Sequence, residues 1–380
     1  MPIYLDHAAT TPVDPRAAQA ALRVMTEEFG NPSSIHALGK QAAAALKEHR
    51  RQISEALGCA SEDELYFTSG GTEGDNWAIA IAAHLGRHTG KHIITSVMEH
   101  AAVLEPIRAL KQEGYDVTVL PSDRKGCVSL SDLENALRPD TILVSLMLVN
   151  NETGAIQPVD KVGQLLRRTG SSALLHTDAV QGFLKVPFTA KNLGADLITI
   201  SGHKIGAPKG VGALYIRKGL RVLPLLRGGG QESGLRSGTE FTPQIAAFAA
   251  ACQAGREGMS HRIQIMRELK AYALTTLPEK VPGLTVVTPG DAPHICAVSL
   301  PGYPSEMLVR ELSRLGIYVS SGSACHKGKP SHVFAALKLP SPVLQGILRL
   351  SFSPENTTAD IDALALALEE IRQARVPAGR

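Results

Sequence analysis

Short apolar runs that do not alternate with polar residues, each followed by a helical pattern, constrain this chain more than any other feature. Glu64-Leu65-Tyr66-Phe67-Thr68 leads through a Gly-rich turn into the helical Trp77–Ala83. His92–Thr95 precedes a helix near 101–113, Val117–Leu120 one near 130–138, and Thr141–Leu146 one near 159–169. Ala173-Leu174-Leu175, Ala195–Ile200 and Val211–Ile216 continue the series. A strand that is apolar on both faces must be covered on both faces, and helices between strands provide that cover. The pattern therefore predicts an α/β fold: a mostly parallel, seven-stranded-type sheet between helices. Helices are expected from about Thr242 to Gly255 and from Ser260 to Thr276, after which the pattern changes. Leu284–Val287, Ile295–Leu300, a helix near 304–315, Ile317–Val319, Ile347–Phe352 and a helix over 358–374 read as a smaller α+β domain. At 380 residues the chain is too long for one core. We expect a large domain over 15–258 and a small one made of 1–14 and 259–380.

Composition narrows the function classes. Lys+Arg 39 against Asp+Glu 36 is close to balance, and no block of five basic residues occurs. Direct nucleic-acid binding and a charged membrane contact are not expected. No apolar run approaches the roughly 18 residues of a membrane span, and the first residues lack a basic-then-apolar signal pattern. The five cysteines are scattered, with no Cys-x-x-Cys, which points to a reducing, cytoplasmic setting.

In such sheets ligands gather at the carboxyl ends of strands. Three chemistry-bearing segments fall there: Asn150-Asn151-Glu152, Asp178-Ala179-Val180-Gln181 and Ser201-Gly202-His203-Lys204. A lysine able to form an imine and an aspartate able to keep a pyridine nitrogen protonated are the two groups a pyridoxal phosphate (PLP) enzyme requires. Ser69-Gly70-Gly71-Thr72-Glu73 joins a strand to a helix N-terminus, a place for a phosphate. His100 opens a helix after the His92 strand, where an imidazole can lie over a planar cofactor or relay protons. Each also has a plain structural reading: Asp178 as a turn cap, Lys204 as a solvated loop lysine, His100 as a helix cap. His84, His88 and His92 are spaced like metal ligands, but Gly86 interrupts the helix and no acidic partner accompanies them, so no metal is expected. Cys325 stands in the polar loop Ser320–Pro330, where His326, Lys327 and Lys329 would favour its thiolate. The other four cysteines read as buried small hydrophobes.

Taken together the motifs resemble the cysteine desulfurases of the class V, fold type I PLP enzymes. The likeness runs nearly end to end: Tyr4–Pro12, Gly30–Ser34, Thr68–Glu73, Asn150–Gly154, Asp178–Gln181, Ser201–Lys204, Arg236–Thr239 and Ser321–Cys325. The resemblance implies pyridoxal 5'-phosphate tethered to Lys204 in the large domain, with Asp178 on the pyridine nitrogen. It implies His100 stacked on the ring and Asn151 and Gln181 near the phenolic oxygen. Gly71, Thr72, Ser201 and His203 are implied as phosphate ligands, joined by Thr239 across a homodimer with a shared active site. Arg349 and Asn31 are implied as the clamp for the substrate carboxylate.

The implied reaction converts L-cysteine to L-alanine, with Lys204 as base at Cα and the sulfur left as a persulfide on Cys325 in the small domain. A protein acceptor, either an iron–sulfur scaffold or a thiolation enzyme, then takes the sulfur. Two departures stand out. Only five steps separate Cys325 from Pro330, with His326-Lys327-Gly328-Lys329 in place of a Thr/Ser-rich stretch, and Glu240-Phe241-Thr242 follows Gly238-Thr239. The rival readings are another class V reaction (aminotransfer or selenocysteine lysis) and a noncatalytic cofactor-binding protein.

Overall fold

The computed structural model describes residues 2–321 and 331–374. Its strands, in chain order, are β1 (Ile3–Tyr4), β2 (Leu65–Thr68), β3 (His92–Ser96), β4 (Asp116–Leu120), β5 (Thr141–Ser145) and β6 (Leu174–Asp178). They continue with β7 (Leu197–Ser201), β8 (Gly212–Ile216), β9 (Thr285–Thr288), β10 (Ile295–Ser299), β11 (Ile317–Tyr318) and β12 (Ile347–Ser351). Seven of them form one sheet in the order β2-β8-β7-β6-β5-β3-β4. From β7 to β4 every pairing is parallel, whereas β8 runs antiparallel to both β7 and β2. The expected α/β architecture is present.

The absence of polar alternation has its predicted cause. In β3, Ile94 packs into a cluster with Ile53, Leu57, Phe183 and Phe248 on one face. Its neighbour Ile93 packs with Ile79, Ile107 and Ile142 on the other. Successive side chains point to opposite faces, so a strand between two helical layers must be apolar at every position. The helix Val159–Thr169 shows the complementary pattern, with Val162, Leu165 and Leu166 buried and Arg167 and Arg168 in the last turn.

A three-stranded sheet, β12-β10-β9, lies on a second core built from Leu277, Leu348, Leu350, Leu364 and Leu368. Leu5 belongs to that core, and β1 pairs in parallel with β11. The first residues are thus built into the C-terminal part of the fold. From there the chain crosses to the central sheet, where Thr11 N–H and Oγ1 both donate to the His203 carbonyl (3.1 and 3.0 Å). Two helices, Pro15–Thr26 and Ala37–Leu57, lie outside the segments anticipated from sequence. Both are alanine-rich and pack against Thr242–Arg256, another alanine-rich helix. Small side chains allow this close packing but blur the apolar periodicity by which helices are recognised. Among the described residues, no helix is long and apolar enough to cross a membrane.

Candidate active site

The strand order reverses at β5 and β3, and a cavity of about 250 Å³ opens beyond the carboxyl ends there. It is lined from the helix start by Gly71, Thr72 and Asp75, and from beyond β3 by His100. Met147, Val149 and Asn151 come from the chain after β5, Asp178, Val180 and Gln181 from the end of β6, and Ser201, His203 and Lys204 from the end of β7. The three strand-end segments singled out in the sequence therefore converge, and the Gly-rich turn joins them.

Each side chain is held by its local structure. Lys204 ends the short turn Gly202–Lys204 and directs its Nζ to the carbonyls of Ala8 (2.7 Å) and Ala9 (2.8 Å). Burial is the main influence on its amine, with the Arg349 charge next, and together they lower its pKa to about 8. Asp178 accepts from the Val180 N–H at 2.9 Å and so caps the turn that follows β6. Burial and then the neighbouring Asp75 push the Asp178 carboxyl upward, opposed by His100. His100 caps the helix Ala101–Gln112, its Nδ1 accepting from Ala102 N–H at 3.1 Å, which fixes the ring at the cavity wall. His203 shares a hydrogen bond with Thr10 Oγ1 (3.1 Å), and burial followed by the Lys204 charge brings its pKa to about 4. It is therefore neutral at physiological pH.

A buried polar layer under Asp178 had no sequence signal. His176 hydrogen-bonds Ser145 Oγ through Nδ1 (2.8 Å) and Thr199 Oγ1 through Nε2 (3.1 Å), with Asp75 Oδ1 3.5 Å away. Burial drives His176 down to about 4 and Asp75 up to about 8, so at neutral pH this contact joins two uncharged groups rather than an ion pair. Glu99, also driven to about 8 by burial, accepts from Ser96 Oγ (2.7 Å) and Met147 N–H (3.0 Å). His176 is on β6, Asp75 on the helix Gly71–Gly86 and Glu99 in the turn after β3, so no local periodicity relates the three.

Arg349 lies on β12 beside this cavity rather than in its wall. Its Nη1 donates to the Asn151 carbonyl (3.0 Å) and its Nη2 to Asp6 (2.6 Å), while Nε has no partner among the described residues. The pairing with Asp6 was not anticipated. Gln181 donates its Nε2–H to the Ala8 carbonyl (2.8 Å), leaving Oε1 without a partner among the described residues. Asn31 and Thr239 are exposed and outside the cavity wall, and Asn31 accepts from Ser33 N–H at 2.9 Å. The Arg236–Thr239 segment is nevertheless tied to the Gly-rich turn, because Arg236 Nε donates to Glu73 (2.9 Å) while Glu73 accepts from Ser69 N–H (3.0 Å). His92, suspected of metal spacing, has both ring nitrogens on threonines, Thr141 and Thr118, at 2.8 Å each.

Cys325 lies outside the described residues, but both flanks of its segment adjoin the site. Ser320 bridges to Arg349 through a 2.7 Å backbone bond, and His332 Nε2–H donates to the Glu99 carbonyl at 3.0 Å. Of the other cysteines, Cys252 and Cys296 are fully buried as expected, while Cys59 and Cys127 are only partly so. Burial still raises the thiols of Cys59 and Cys127 to about 12 and about 11.

This cavity fits a flat, phosphorylated pyridine. Gly70 takes φ +152°, and a Cβ on Gly71 would lie 2.9 Å from Val180 Cγ2, so backbone rather than side chain faces the space at the helix start. The buried Asp178 carboxyl suits a cationic ring nitrogen, and the part-buried, weakly basic amine of Lys204 suits a carbonyl carbon.

The Aminotransferase class-V family model matches residues 3–364. A cysteine desulfurase IscS of Methanosarcina thermophila is 42% identical over 377 residues, covering 98% of this chain and 92% of that protein. Among solved structures, a NifS-like protein superposes with a TM-score of 0.93 at 37% identity, covering 99% of this chain and 100% of that one. A structure described as SspA in complex with cysteine gives 0.81 at 32% identity, covering 93% and 100%.

Proposed function

The chain belongs to the aminotransferase class-V family and is a cysteine desulfurase, and on that footing we propose how its own residues divide the work. Pyridoxal 5'-phosphate, when bound, supplies a ring that accepts electrons and so makes the substrate Cα–H acidic and its C–S bond weak. Gly71, Thr72, Ser201 and His203 hold the phosphate, joined by Thr239 across a homodimer. Asp178 holds a proton on the pyridine nitrogen, His100 orients the ring, and Asn151 and Gln181 lie at its phenolic edge. Lys204 is both tether and base: once released, its Nζ takes the proton from the substrate Cα.

Arg349 receives the substrate carboxylate, with Asn31 nearby. Asp6 accepts from Nη2 and so fixes the orientation of the guanidinium. Residues 15–258 carry the cofactor, and residues 1–14 and 259–380 carry Arg349 and Cys325. The Cys325 thiolate attacks the sulfur of L-cysteine. The C–S bond breaks, its electron pair stays with carbon, that carbon takes up a proton, and Lys204 returns the proton to Cα so that the product leaves as L-alanine. The persulfide on Cys325 then passes to an iron–sulfur scaffold or a thiolation enzyme.

We place this reaction in the cytoplasm, in a homodimer. Leu22, Met25 and Phe29, apolar and exposed along one stretch, are a surface that a second copy would cover. The observation that carries the reading is Lys204, an amine made weakly basic and held on two carbonyls at the rim of a cavity that also contains Asp178. The test is incubation with L-cysteine followed by intact-mass analysis. One sulfur atom gained on Cys325, and lost in Lys204→Ala and Cys325→Ser, is the expected result. No gain in the native protein would overturn the assignment of Cys325.

A further inference from the structure

Glu232 and Ser233 take φ +50° and +57°, two consecutive non-glycine residues in left-handed backbone, between Gly230 (+88°) and Gly234 (+79°). Such backbone costs an L-residue energy and persists only where the surroundings enforce it. Ser233 is exposed, so its own side chain does not hold it there. Glu232 does the holding. Its side chain is 3% exposed, and one carboxylate oxygen accepts from Arg50 Nη1 and from Phe67 N–H, each at 2.8 Å. The other oxygen accepts from Arg50 Nη2.

Both partners are themselves fixed. Among the described residues β2 is an edge strand of the central sheet and pairs with β8 alone, which leaves Phe67 N–H and Leu65 C=O pointing outward. Glu232 accepts from the first, and Arg50 donates to the second at 2.7 Å while lying over the Phe67 ring at 4.4 Å. The ion pair therefore closes the sheet edge and pins the turn onto it.

What the turn carries is the segment Arg236–Thr239. Leu225 N–H donates to Leu235 O (2.8 Å) and Ser237 N–H to Leu226 O (3.0 Å), while Gln231 Oε1 accepts from Gly238 N–H (3.0 Å). Arg236 Nε donates to Glu73, in the first turn of the helix that begins at Gly71. Thr239, at the end of this segment, is exposed and stands outside the cavity of its own subunit. We propose that Glu232 is a positioning residue for the cofactor of a second subunit: its pairing with Arg50 enforces the left-handed turn that presents Thr239 to the phosphate across the dimer. The inference rests on the assignment of Thr239 to that phosphate.

The test is binding rather than turnover. Cofactor-stripped, full-length protein is titrated with pyridoxal 5'-phosphate and, separately, with pyridoxal, which lacks the phosphate; ligand absorbance reads both. Glu232→Gln should weaken the phosphorylated ligand about tenfold, the worth of one charge-assisted phosphate contact, and leave pyridoxal unchanged. Thr239→Ala should do the same, and the double variant should bind no more weakly than either single one, since both changes remove one interaction. Adding Ser233→Gly to Glu232→Gln relieves the left-handed strain and should restore most of the lost affinity. Gly234→Ala strains the same turn at φ +79° with no atom crowding the new Cβ and with the ion pair intact. The same selective loss is expected of it, and it decides the matter if Glu232→Gln does not fold. Equal losses for both ligands would make Glu232 a purely structural residue and overturn the proposal. So would a loss in Thr239→Ala that Glu232→Gln lacks. Unaltered binding in Thr239→Ala would instead remove the assignment of Thr239, and this inference with it.

Discussion

Replacing Arg349 with Gln should make the Lys204 amine more basic. In the native chain burial and the Arg349 charge bring it from 10.5 to about 8, against the opposing pull of Asp178 and Asp6. That difference corresponds to about 3 kcal/mol against the ammonium form. At pH 7 about one amine in ten is neutral, against roughly one in 3,000 for an ordinary lysine, a gain of about 300-fold in reactive base. Arg349→Gln removes the positive charge and also frees Asp6, whose carboxylate now accepts from Arg349 at 2.6 Å. Both changes favour the ammonium, so the titration should move upward, while Asp178→Asn, which removes an opposing charge, should move it downward. The assay is competitive reductive methylation of cofactor-stripped protein from pH 6 to 10, with the Lys204 peptide quantified against exposed lysines such as Lys47. A native midpoint near 10, or a midpoint indifferent to Arg349, would refute the account.

Three further outcomes follow from the same structure. The carboxyls of Asp75 and Glu99, raised to about 8, keep their protons in the folded chain when the unfolded chain has lost them. Their stabilisation is therefore present at acid pH and is lost as pH rises toward 8. Urea midpoints at pH 5.5 and 8.5 should differ less in Asp75→Asn than in the native protein. Glu232 accepts from Arg50 Nη1 and from Phe67 N–H, each at 2.8 Å, in a nearly buried setting. Glu232→Gln should thus cost about 2–3 kcal/mol in equilibrium unfolding. The thiols of Cys59, Cys127 and Cys296, at about 11 to 12, should resist iodoacetamide at pH 8 in the folded protein and react on unfolding, as peptide mapping would report.

Much of the candidate site is legible in the order of residues alone. Asp178, Lys204 and Asn151 end apolar strands, and parallel strands with helices on both faces put their carboxyl ends on one side, so their convergence follows from topology. The Gly-rich turn at 69–73 is legible for the same reason, since it links β2 to its helix. The partnership of Asp6 with Arg349 is not, because 343 residues separate them and no local periodicity records which distant carboxylate meets a given guanidinium. Nor is the placement of His176, Asp75 and Glu99 beneath Asp178.

By itself, the sequence determined the layers of this protein and the chemical types at its strand ends, because strand and helix periodicity are local properties. Tertiary structure decided the state of those groups. It made the Lys204 amine weakly basic, turned an apparent Asp75–His176 ion pair into a neutral contact, and left the buried Lys185 Nζ without a hydrogen-bond partner among the described residues. Charge states depend on desolvation and on neighbours brought together from distant parts of the chain, and those exist only once the chain is packed.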